Sequence, residues 1–177
     1  MWIKLNLDGI VLSFRVKRYI KTDNSNWDTT WCCVDFCLES KSWLKYEVRN
    51  DEILLASEID SLIGMLENLL SDRQTEQIEY QCIEPDFSFV FNPKKDLSLD
   101  PNYEYVSPED RFVDIDLQWK VFFWNGGLTD NYISVTLNRT EIEYFLVYLK
   151  VIAGDLSEEW FCQYHLTHFI RTRIMQR

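Results

Sequence analysis

Cys162, His165 and His168 carry the side chains most able to do chemistry, because thiolate and imidazole together bind zinc. Their spacing argues against it. On a helix, i and i+3 lie close, but i+6 lies well round the cylinder. No CxxC and no second ligand pair accompanies them. Asp114 and Asp116 share one face of a strand and, with Glu84, form a candidate carboxylate set. Acid–base work would also need a pocket that brings them together. A solvated outer face beside Lys120 is the simpler reading. Cys32 and Cys33 are neighbours on a strand and point to opposite faces. The five glycines form no GxGxxG or GxxxxGK loop, and there is no GxSxG elbow. Two histidines exclude most His-rich catalytic sets. The residues point away from an enzyme, and neither cofactor nor metal is expected.

The charge is unevenly spread. The 177-residue chain has a net charge of −11. Residues 51–160 hold 7 basic and 23 acidic side chains, whereas residues 161–177 hold three arginines and no acid. An acidic middle disfavours nucleic acid, since phosphate contacts need Lys and Arg. It suits a basic protein partner, whose approach it would steer. It also serves plain solubility. No apolar run reaches membrane-spanning length, so no membrane is expected. The N-terminus alternates around Asp8-Gly9 and reads as two strands, not a signal peptide. Cys32, Cys33, Cys37, Cys82 and Cys162 are odd in number and read as buried, reduced thiols of a cytoplasmic protein. Asn138-Arg139-Thr140 matches a glycosylation sequon but reads as a helix start.

The elements that would position these groups follow from periodicity. Val113, Ile115, Leu117, Trp119, Val121 and Phe123 predict one face of a half-buried antiparallel strand. Gly126-Gly127 reverses the chain, and Ile133, Val135 and Leu137 return with the same period. Thr140 and Glu143 predict a capping box. The helix after it would bury Ile142, Phe145, Leu146, Leu149, Ile152 and Ala153, ending at Gly154. Upstream, strands are expected over 2–7, 10–19, 30–38 and 43–48, with a loop over 21–29. Asp51-Glu52 falls in the link to a helix from Ser57, its N-cap, to Leu70. Gly64 lies in that helix, where close approach of a strand would offset its cost. Strands over 77–83 and 87–92 flank Glu84-Pro85-Asp86. A last helix over 157–175 carries Ser157 as cap. The fold class is α+β: a bent, largely antiparallel sheet, two helices packed on it, and a C-terminal helix. One domain spans 1–177, with 155–177 as a helical extension.

The longest irregular stretch, 93–111, interleaves acids with aromatics. Asp96, Asp100, Glu104, Glu109 and Asp110 surround Tyr103 and Tyr105, a composition suited to a protein-binding edge or to a solvated loop. The hairpin tip Phe122, Trp124, Asn125 and Gly126 is a second candidate.

Several segments in order resemble the WapI family of bacterial immunity proteins. They are Trp27-Asp28-Thr29-Thr30-Trp31 entering a strand, the Leu-rich helix 57–70, and Ile83-Glu84-Pro85-Asp86-Phe87-Ser88-Phe89. The strand pair and the helix ending near Gly154 complete the set. The likeness covers about residues 2–154. It implies an immunity protein that binds and neutralises the C-terminal domain of a cognate contact-dependent or polymorphic toxin, without turnover. Such toxins are often nucleases, whose basic surface an acidic inhibitor would cover. Asp100, Tyr103, Glu104, Tyr105, Glu109 and Asp110 are then the expected toxin-binding residues, on a monomer or homodimer. The alternative is a non-enzymatic adaptor or assembly protein with a basic partner.

Overall fold

The computed structural model describes residues 1–21 and 30–163. Two four-stranded antiparallel sheets make the frame. The first has the order β1-β2-β3-β4: Ile3–Leu7, Ile10–Val16, Trp31–Glu39 and Lys45–Leu55. The second has the order β10-β9-β6-β5, in which β5 is Ile78–Gln81, β6 Phe87–Asn92, β9 Asp116–Trp124 and β10 Leu128–Asn138. A short ladder joins β7, Lys95–Asp96, to β8, Phe112–Val113. Helices α1, Ala56–Leu70, and α2, Arg139–Ile152, complete the α+β architecture. A further helix occupies 158–163, and the Ser157 hydroxyl accepts from the Trp160 amide at 3.2 Å, as expected of its cap. The predicted course of that helix to 175, including His165 and His168, lies outside the described residues. So do the 22–29 loop and Trp27-Asp28-Thr29.

Alternation turns Leu117, Trp119 and Val121 inward as predicted, and the other strands add to the same core. Leu12, Phe14 and Val16 of β2 are buried, as are Cys32, Val34, Phe36 and Leu38 of β3. From the second sheet come Phe87, Phe89, Phe91, Leu117, Trp119 and Val121. The two inner faces meet at Trp119, which is fully buried. Its ring lies 5.4 Å from Phe14, 5.4 Å from Phe87 and 5.0 Å from Phe145 of α2. The first two pairs are edge-to-face and the third is stacked, and such pairs add to the burial of the rings themselves. Asp8 and Gly9 both take positive φ, as a two-residue hairpin of right-handed twist requires.

Several boundaries depart from expectation, each for a local reason. Strand β4 does not stop at residue 48. It runs to Leu55 through register shifts opposite Cys32/Cys33 and Val34/Phe36, with Asn50 at φ +53°. A bulge breaks the two-residue period, so Asp51-Glu52 looked like a link and is strand. Val113 belongs to the short ladder, not to the long strand, and is exposed. The N-cap of α1 is Leu55, not Ser57, and the amide of Leu55 donates to Glu58 instead. The box that opens α2 is Asn138 with Glu141, two residues before the predicted pair. Glu141 N–H donates to Asn138 Oδ1 at 3.1 Å, and Asn138 N–H donates to Glu141 Oε2 at 2.9 Å. Ile152 and Ala153 are only partly buried, while Tyr148 is fully buried and its hydroxyl accepts from Val16 N–H at 2.8 Å. Gly64 meets no close neighbour; a Cβ there would stand in open space.

Arg139 locks these parts together at the start of α2. Its guanidinium donates to both oxygens of Asp114, to Asp72, and to the carbonyl of Leu70 at the end of α1. Lys150 of α2 pairs with Glu67 of α1. Gly154, at φ +83°, ends α2, and Asp155 N–H reaches back to Lys150 O at 2.8 Å.

Candidate functional site: two surfaces at opposite ends of one strand

The 93–111 stretch is built on a narrow neck. Lys95–Asp96 pairs with Phe112–Val113, and Leu97 N–H donates to Arg111 O at 2.8 Å. The Arg111 guanidinium donates to both oxygens of Asp96. Those bonds, helped by the Ser98 hydroxyl, hold the Asp96 carboxyl well below the usual range. Asp96 is therefore committed to the neck and is not a free charge. Lys94 and Arg111 both lie over the Phe112 ring, at 4.8 and 5.0 Å.

Beyond the neck the chain projects. A 3-10 turn at Leu97–Leu99 starts the projection. Asp100 is half-buried and accepts from Asn102 N–H at 3.0 Å; its own carbonyl accepts from Tyr103 N–H. Asp110 accepts from the Ser107 hydroxyl at 2.8 Å. These local bonds shape the segment and leave its large side chains outside. Tyr103 is 51% exposed, Tyr105 80% and Leu99 80%. Glu104, Glu109 and Asp110 are exposed beside them. All six residues singled out from the sequence thus lie on one projection.

The hairpin tip behaves differently. Phe122 packs on Tyr132 at 5.2 Å and Phe123 on Tyr46 at 4.8 Å, so both serve packing. Trp124 remains 42% exposed and shares one cleft with Asp86. Beside it opens a cleft of about 350 Å³, lined by Tyr46, Val48, Asp51, Glu52, Ile53, Glu84, Asp86 and Trp124. Burial, then the charges of Asp51 and Glu84, push the Asp86 carboxyl up to about 6. Sequence reasoning missed this cleft. Its walls come from three segments: the bulged half of β4, the turn before β6, and the end of β9.

The candidate catalytic set does not assemble. Asp114 is paired with Arg139, and Asp116 accepts from the Asn92 amide at 2.7 Å. Asp114 lies just before β9 and Asp116 opens it, whereas Glu84 lines the cleft at the strand's far end. Cys32, Cys37 and Cys82 are buried free thiols, as expected. Cys33 is only partly buried and Cys162 is exposed, because Cys162 sits on the outer side of the last helix. Among the described residues no group of three His, Cys, Asp or Glu is placed to hold a metal, and no helix is long and apolar enough to cross a membrane.

The α+β frame carries exposed aromatic and acidic side chains on its surface, a composition found at protein-binding edges. The model of the immunity protein WapI-like family matches residues 3–157, from β1 to just past α2, and the chain belongs to that family. No curated protein and no solved structure matches it. Proteins of such an immunity family are typically not enzymes.

Proposed function

We propose that this protein stays in the cytoplasm of the producing cell and neutralises the C-terminal domain of a cognate contact-dependent or polymorphic toxin, a basic nuclease. The observation that carries this reading is the family match over residues 3–157. The projection at 97–111 supports it. Tyr103, Tyr105 and Leu99 offer large apolar area at the surface, ringed by Glu104, Glu109 and Asp110. Aromatics of this kind act as anchors, while the acids steer a basic partner and speed capture. Inhibition then needs no turnover: the complex covers the surface that the toxin requires for phosphates.

The test is a pull-down and growth-protection assay with the C-terminal domain of the toxin encoded just upstream as bait. Tight, salt-sensitive binding with protection is the expected result. Charge reversal at Glu104, Glu109 and Asp110 should slow association and weaken binding by about tenfold or more. Binding untouched by those reversals rejects the projection as the contact and keeps the role. Neither binding nor protection rejects the role.

A further inference from the structure

We infer that the cleft between β4, the 84–86 turn and the end of β9 receives an arginine side chain of the toxin domain. The inference rests on the immunity reading above and adds the chemistry of one contact.

The cleft has an arrangement that suits a guanidinium. Its residues include four acids and no base. Arg18 approaches Glu52 at 3.4 Å. Asp51, Glu84 and Asp86 have no ion-pair partner among the described residues. The aromatic rings of Tyr46 and Trp124 stand in the same wall, and Val48 and Ile53 supply apolar surface. A flat cation can lie against an indole face while its fork meets carboxylates, and its methylene stem can lie along the apolar part. An ammonium gains less from such a site, because it presents a point charge.

Electrostatics favour the same occupant. The like charges of Asp51 and Glu84, with burial, already disfavour the ionised form of Asp86. A cation entering the cleft would relieve that repulsion, whereas a phosphate would add to it. A bare metal ion fits less well, since no three of these carboxylates are grouped to hold one. The cleft and the 97–111 projection flank opposite ends of β9, so substitutions in one leave the other intact.

The experiment titrates the upstream toxin's C-terminal domain against the wild-type chain and against E84Q/D86N. An arginine-to-glutamine scan of the toxin domain is run in parallel. Both substitutions keep side-chain size and one acceptor oxygen while removing the charge. The expected result is a loss of about 30-fold or more in affinity for E84Q/D86N. One toxin arginine should cost the wild-type complex as much but cost the E84Q/D86N complex less than about threefold, the signature of direct coupling. Wild-type binding with E84Q/D86N unchanged overturns the inference and spares the immunity reading. A loss with no coupled arginine also overturns it. A wild-type chain that neither binds nor protects overturns both. If E84Q/D86N melts early, D51N takes its place under the same criteria, since Asp51 is an exposed acid on the same wall.

Discussion

Glu58, at the start of α1, accepts a hydrogen bond from the backbone amide of Ile83 at 2.7 Å, twenty-five positions further along the chain. Its other oxygen accepts from Leu55 N–H at 2.8 Å. One buried carboxylate therefore caps the helix and moors the turn that carries Glu84, Pro85 and Asp86. Burial raises the Glu58 carboxyl, and the two amide bonds only partly oppose that. Replacing Glu58 by Ala should strand two amide donors and cost about 3 kcal/mol in urea unfolding. Gln keeps one acceptor and should cost clearly less. Equal losses for both would reject the mooring.

The raised Asp86 gives a pH signature. Its folded value is about 6 against an ordinary 3.8, so the folded state holds the proton more tightly. That group's contribution to stability falls as pH rises from about 4 to 6, then stays level. The groups facing it are Asp51, Glu84 and Glu52, with Arg18 near Glu52. D86N should therefore stabilise the fold at pH 7 by about 1 kcal/mol, after allowance for solvent in the cleft, and have no effect at pH 3.5. Paired thermal melts at the two pH values measure this.

Asp35 should do the reverse. It is 1% exposed; burial alone would raise its carboxyl. Lys17, the Asn50 amide and Arg15 outweigh burial and bring it to about 2. A depressed acid stabilises above its unfolded value near 3.8, and that benefit is lost as pH falls through 2. D35N should cost about 2 kcal/mol at neutral pH, with the difference gone below pH 2. An unchanged urea midpoint for D35N at pH 7 would contradict the ion-pair geometry.

Gly64 offers a gain. It lies inside α1 with open space where a Cβ would go and no positive φ. G64A should raise stability by about 0.5–1 kcal/mol through helix propensity and a less flexible unfolded chain. A loss instead would reveal a contact on that face.

Much of this frame can be read from spacing alone. Leu117, Trp119 and Val121 lie on one face because strands alternate, and distant parts of the chain need not be consulted. The same rule misled at Asp51-Glu52, where a bulge removes the period, and at Val113, where the chain changes partner between β8 and β9. Thr140-Glu143 and Asn138-Glu141 both satisfy the capping pattern; only the end of β10 decides between them. The 97–111 projection was visible as acids among tyrosines. The cleft was not, because Asp51, Asp86 and Trp124 approach one another only after two sheets have packed.

The Asp96–Arg111 neck separates what must stay constant from what is free to vary. A segment whose two ends are pinned beside each other can lengthen at little cost, since doubling a flexible loop costs only about 0.6 kcal/mol. Its side chains can also be exchanged without disturbing Trp119 and the rings around it. On the proposed reading, the projection is a detachable cartridge on a fixed chassis, and a new partner specificity can arise by rewriting one surface segment while the packed interior is inherited unchanged.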